Sequence, residues 1–245
     1  MTKRRLLLVG FATCLLGIVV LFPARVAYRW FAPASLVLSG ISGSIWRGTA
    51  AAGMVSNVYV RNLTWRFKPG RLPRGEVAYA VEALPAGGFL DGRIGINFGG
   101  SLMLSQLRVS LPLSMLDTAT GISGLRGTAN ASLDQMTLSG GLPVSADGSV
   151  DVAGLVLPIV APEPLGNFRA EFQTGADGNI VANVQDTQAV IDIAGRLLLR
   201  SDRAYEFLGR IAATDDTPES VRKQLQFLGS PNERGQYELR LEGQL

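Results

Sequence analysis

The chain has no histidine, and its only cysteine is Cys14. Ser-His-Asp and Cys-His catalysis are therefore absent, as are zinc, haem and iron–sulfur sites built on histidine or cysteine. A disulfide within the chain is impossible. Charge is also sparse, at 18% of 245 residues against 47% hydrophobic, a balance that fits neither a disordered chain nor a multi-span membrane protein. No Gly-x-x-x-x-Gly-Lys loop or dinucleotide fingerprint occurs, so the glycines around Leu84 and Phe98 imply no phosphate-binding enzymology.

One sign of charge is missing from a whole stretch. Residues 1–75 carry eleven Lys and Arg and no acid, whereas residues 76–245 carry twelve basic and twenty acidic residues, a net of −8. Five of the early positives (Lys3, Arg4, Arg5, Arg25, Arg29) flank the uncharged run LLLVGFATCLLGIVVLF at residues 6–22. As a helix rising about 1.5 Å per residue, this run reaches roughly 25 Å, the short end of a bilayer span. Membrane anchoring explains the basic flanks better than nucleic acid does, and no nucleic-acid partner is expected. The bias of Lys3, Arg4 and Arg5 places the N-terminus in the cytoplasm. Arg25, Tyr28, Arg29, Trp30 and Phe31 read as a membrane-interface belt with snorkelling arginines. A cleaved signal peptide is the competing reading, but no convincing small-residue pair precedes a cleavage point. The expected order is a cytoplasmic N-terminus (1–5), an anchor (6–24), an interfacial linker (25–34) and a periplasmic β domain (35–245) in a bacterial inner membrane.

Beyond the anchor the dominant period is two, with turn residues every eight to twelve positions. Leu63, Trp65 and Phe67 alternate with Thr64, Arg66 and Lys68, and Tyr237, Leu239 and Leu241 alternate with charged residues. One apolar and one largely polar face are expected of an antiparallel sheet with a wet side. The apolar phase slips at Arg61-Asn62 and at Ser105-Gln106, which predicts a bulge or sharp bend at each. About thirteen strands would force a strongly twisted, curved or folded sheet. The fold class is thus mainly β: one transmembrane helix, then a large, curved, mostly antiparallel sheet with one or two short helices. Thr217-Pro218-Glu219 starts a helix with Thr217 as cap, and Gly229 and Pro231 stop it. A helical turn is expected at residues 113–119 behind Pro112. Residues 41–50 echo residues 122–129 if two positions are dropped, which would divide the domain into related halves at 35–116 and 117–245.

Several residues carry two readings. Trp46 and Trp65 could be partner-binding anchors, although tryptophan on an apolar strand face is more often core. Asp215, Asp216 and Glu219 suit a helix N-terminus and match no calcium loop. No pair of carboxylates stands out, so no enzyme, no catalytic residue, no metal and no cofactor is expected. Some strands are apolar or small on both faces, as at Ala78 and Ala80 opposite Val77 and Tyr79, and at Ala194 and Leu198 opposite Ile193 and Leu197. Either both faces are packed, or one forms an apolar groove.

The order of short motifs carries a family likeness. An N-terminal anchor runs into Phe22-Pro23-Ala24-Arg25 and Trp30-Phe31-Ala32-Pro33. A Gly-x-x-Trp-x-Gly turn follows at positions 43 to 48, and a Leu-x-Trp-x-Phe-x-Pro strand ends at Pro69. A Leu-rich helix, Phe227-Leu228-Gly229, Gly235-Gln236-Tyr237 and a terminal Glu242-Gly243-Gln244-Leu245 close the chain. Over nearly its whole length this resembles the type II secretion system protein N family. The resemblance implies a bitopic inner-membrane accessory protein of the secretion machine, with other secretion subunits and the bilayer as partners. In general pattern it is also similar to AsmA-like periplasmic β proteins, which implies lipid as the alternative partner. That second likeness is of fold only.

Overall fold

The computed structural model describes residues 10–11, 13, 17–33, 36–55, 58–117 and 121–244. The expected anchor at residues 6–24 falls partly outside them, at residues 6–9, 12 and 14–16, and among the described residues no helix is long and apolar enough to cross a membrane.

The described residues form one sheet of fourteen strands. They are β1 (Leu36–Ser39), β2 (Ser42–Gly43), β3 (Arg47–Val55), β4 (Val58–Phe67), β5 (Glu76–Pro85), β6 (Phe89–Asn97) and β7 (Leu102–Pro112). The second set is β8 (Arg126–Ser139), β9 (Leu142–Val156), β10 (Gly166–Thr174), β11 (Ile180–Ala189), β12 (Ile191–Leu199), β13 (Ala204–Ala213) and β14 (Gln236–Gln244). From β3 onward every strand pairs antiparallel with the next in sequence. β1 and β2 share the outer side of β3, one at each of its ends. The sheet is open, with β14 as its far edge.

Period-two sequences form a flat ladder only while the register holds, and here it breaks where the apolar phase slips. Arg61 faces Leu84 and Thr64 faces Glu82, so Asn62 and Leu63 lie opposite the single Ala83. Arg108 faces Asp91 and Ser105 faces Arg93, so Gln106 and Leu107 lie opposite Gly92. Asn62 and Gln106 both adopt φ +50°, the left-handed conformation that one class of bulge residue takes. A Cβ on Gly92 would sit 2.9 Å from Leu107 Cα, so glycine is needed where the bulge folds over it. Each bulge returns the apolar residues to one face: Val60 before it, and Leu63, Trp65 and Phe67 after it.

Directly opposed residues share a face, so the register traces two surfaces. One is apolar, running Phe67, Tyr79, Ile94, Leu104, Met136 across β4 to β8. It continues as Phe172, Ala182, Leu197, Phe207, Leu241 across β10 to β14. The other is polar, with Thr64, Glu82, Asp91, Arg108 and Ser132 in one row.

Two small elements cover parts of the apolar side. The helix Ala24–Phe31 packs with Ala24 and Tyr28 against Ile41, Ala50, Leu63 and Trp65. The helix Glu219–Leu225 seats Val221 among Ala161, Leu165 and Ile191. The expected helix is thus present and ends at Gly229 (φ +115°), but Thr217 is not its cap. Pro218 occupies that position without a side-chain bond. The Thr217 hydroxyl instead donates to the Val190 carbonyl and accepts from the Thr214 amide (2.7 Å), tying the β13 exit to β12. The turn behind Pro112 is a 3₁₀ turn, Leu113–Leu116, and residues 118–120 lie outside the described ones. β7 and β8, either side of the expected division between halves, pair from Leu102–Leu138 to Pro112–Thr128 within the same sheet.

Candidate functional site

Between the helix Ala24–Phe31 and β3 a short segment makes most of the polar contacts. Gly43 turns the chain at φ +89°, and a Cβ there would lie 2.5 Å from the Arg47 carbonyl oxygen. The Ser44 hydroxyl then accepts the amides of Trp46 and Arg47, both at 3.3 Å. The turn points Trp46 back toward the N-terminal segment, and Trp65 reaches the same turn from β4. Trp46 Nε1 donates to the Val19 carbonyl at 2.8 Å, and its ring meets Phe67 with centroids 4.9 Å apart. Trp65 Nε1 donates to the Ser44 carbonyl at 3.1 Å, and its ring lies over Gly48, where a Cβ would come within 2.3 Å of it. The Ile45 amide donates to the Phe22 carbonyl (3.0 Å), and Pro23 bridges to Ser44. Both tryptophans, expected as core or partner anchors, are half-buried with indole N–H groups engaged inside the chain.

The five residues expected at a membrane interface divide by direction. Tyr28 turns inward: its hydroxyl donates to the Leu36 carbonyl (3.1 Å) and accepts the Leu38 amide (3.0 Å). Arg25 Nε reaches the Ile41 carbonyl at 2.5 Å. Arg29, Trp30 and Phe31 point outward, Trp30 and Phe31 being 68% and 77% exposed. Leu21 is 75% exposed on the same stretch, so a cluster of large apolar groups faces away from the protein beside two arginines. The ladder of Trp30 against Phe22 (6.0 Å) and Phe31 (6.4 Å) holds the outward side together.

The helix leaves a gap above the sheet. Ala24, Ala27, Ile45, Trp65, Tyr79 and Val81 line an apolar cavity of about 370 Å³. Burial pushes the Tyr79 hydroxyl above its ordinary value. Beyond this cavity the apolar face stays half-exposed, with Ile96 on β6 (54%) and Leu241 on the edge strand β14 (50%) open to solvent. The far edge differs from the near one. β14 is nine residues long, without proline, and has a neighbour on one side only. β1 is four residues long and is fastened by Tyr28. The pairings across the sheet were not readable from the sequence, because spacing shows which residues share a strand face but not which lie opposite.

The profile of the family described as type II secretion system (T2SS), protein N, matches residues 34–240. The chain is similar to a type II secretion system protein N of Aeromonas hydrophila, 24% identical with all of both chains aligned. It is also similar to those of Vibrio cholerae serotype O1, 26% identical over 96% of each chain, and Pectobacterium carotovorum subsp. carotovorum, 20% identical over 91% of this chain and 90% of the relative. No solved structure matches, and the expected likeness to AsmA-like proteins is not supported.

Proposed function

The chain belongs to the type II secretion system protein N family, and from that membership we propose that it is a non-enzymatic accessory component of the secretion machine. It sits in the inner membrane through residues 6–24 and docks other subunits through its periplasmic sheet. The observation that carries the docking mode is the asymmetry of the edges. β1 is short and clipped by the helix Ala24–Phe31, while β14 is nine residues long with β13 as its only ladder partner among the described strands, so alternate residues turn backbone donors and acceptors outward. An extended segment of a partner subunit adds to β14 by main-chain hydrogen bonding, the usual route of strand addition. The anchor confines the encounter to the membrane surface and raises the effective concentration.

The test is affinity capture of tagged full-length protein from native membranes, with a photo-reactive residue placed at Glu238 or at Leu36. Inner-membrane secretion subunits joined at position 238 and not at 36 would support edge docking. Recovery of general envelope proteins alone would remove it. A C-terminal alkaline phosphatase fusion checks the topology, since activity is expected only if the C-terminus is periplasmic.

A second reading rests on the half-exposed apolar face. The same sheet could take acyl chains, making the protein a lipid-handling or envelope-maintenance factor. Phospholipid that co-purifies with the full chain and is lost on Leu104→Asp would favour this reading over subunit docking.

A further inference from the structure

The polar face carries a row of cations that have no ion-pair partner among the described residues. Arg47 on β3 lies directly opposite Arg66 on β4. Arg66 opposes Ala80, and Ala80 opposes Arg93 on β6, so three guanidinium groups stand in one line across four strands. Like charges placed directly opposite destabilise a sheet unless an anion offsets them. None of these arginines, nor Lys68 beside them, forms an ion pair among the described residues. The Arg93 Nε–H is buried with no acceptor, and a buried unpaired donor carries a desolvation cost.

The row lies in a trough. Arg47, Arg66, Lys68 and Glu82 help line one cavity of about 490 Å³, and Lys68, Arg93, Arg108 and Asp134 a second of about 500 Å³. Lys68 and Ala80 line both, so the two adjoin. Five cations face three carboxylates there, and Asp91 is already taken by Arg108 at 2.9 Å.

We propose that this trough binds a phosphate-bearing anion, with Arg66 and Arg93 as its two guanidinium forks and Arg47 and Lys68 completing the charge. Across two strand spacings, Arg66 and Arg93 stand about 10 Å apart at the backbone. That separation lets two long side chains converge on one tetrahedral group, and arginine forks match phosphate oxygens in pairs. The source of the phosphate follows from position. β3 and β4 follow the helix that carries Arg25, Arg29 and Trp30 by way of the short strands β1 and β2, and this part rests on the membrane reading above. A sheet tethered there meets lipid phosphates at a raised effective concentration.

The test uses the full chain in a neutral detergent, so that it stands independently of subunit docking and of orientation in a bilayer. Three probes are titrated by calorimetry: inorganic phosphate, water-soluble dihexanoyl phosphatidic acid and dihexanoyl phosphatidylcholine. Phosphatidic acid is expected to bind saturably and to raise the melting temperature, and R66Q/R93Q to weaken it at least tenfold. R47Q, whose side chain is exposed, should weaken it several-fold. R169Q removes a cation of the same face already paired with Asp151 at 2.6 Å, and should leave binding unchanged. Phosphatidic acid at least tenfold tighter than inorganic phosphate would identify a lipid headgroup; equal affinity would identify free phosphate, and either supports the site. The unliganded R66Q/R93Q protein should melt no lower than the parent, since it loses like-charge repulsion. Absence of saturable binding by either anion, equal affinity for phosphatidylcholine, or full retention in R66Q/R93Q would overturn the proposal.

Discussion

Gly48 and Trp65 show how one absent side chain organises a corner of the fold. The indole occupies the space a Cβ would need, and its N–H holds the Ser44 carbonyl in the turn. Gly48→Ala would push the ring off Leu63 and Ala50 or open the β2–β3 pairing, since Ser42 O also stands 2.6 Å from the new atom. The expected loss is about 1–3 kcal/mol, as for other overpacked sites, read from the shift in thermal midpoint. Period two made Trp65 legible as a face residue, but its partner glycine lies across a strand boundary, out of reach of local spacing. A second residue acts through charge. Asn179 donates its backbone amide (3.1 Å) and its side-chain amide (2.6 Å) to Asp177, and holds that carboxyl below its ordinary 3.8. A depressed folded value means the turn between β10 and β11 is favoured fully above 3.8 and loses that support as pH falls through the folded value. Amide exchange at Gly178 and Asn179, corrected for intrinsic rates, should therefore be faster at pH 3 than at pH 6. In Asp177→Asn the difference should vanish.

At the scale of elements, the two bulges decide which face each half-strand presents. Gln106 holds φ +50° in mid-strand, where a β-branched residue is strained and glycine is not. Gln106→Val should cost about 1–2 kcal/mol, and Gln106→Gly should fall within about 0.5 kcal/mol of the parent, both by thermal melting. Both bulges were legible as phase slips because a sheet with one buried face punishes any change of parity. The C-terminal helix was legible in place but not in detail. Its periodic Val221 and Leu225 are buried as the spacing implies, whereas the local pattern wrongly makes Thr217 a cap. The hydroxyl prefers the Val190 carbonyl, a long-range partner no local pattern reveals. Val221 is 1% exposed at the centre of that packing, so Val221→Ala should cost about 2 kcal/mol. The basic row had visible members, but only the register aligned Arg47, Arg66 and Arg93.

For the whole molecule the ratio of surface to mass is the informative quantity. The chain exposes 15,473 Å² at 26.1 kDa. A compact chain of that mass exposes about 10,500 Å² and an unfolded one about 38,000 Å². The fold thus buries about three-fifths of its unfolded surface, the share usual for a domain of about 60 residues. Stability must come largely from neighbouring strands rather than from a thick core. The heat capacity of unfolding should accordingly lie about a fifth below the value usual for this length, measured by scanning calorimetry. The meander has one more consequence, which concerns time rather than shape. Because each strand after β3 rests on the one made just before it, none must wait for a distant segment. A chain delivered from its N-terminus can add one hairpin after another to an edge already laid down, each new strand becoming the template for the next as far as β14.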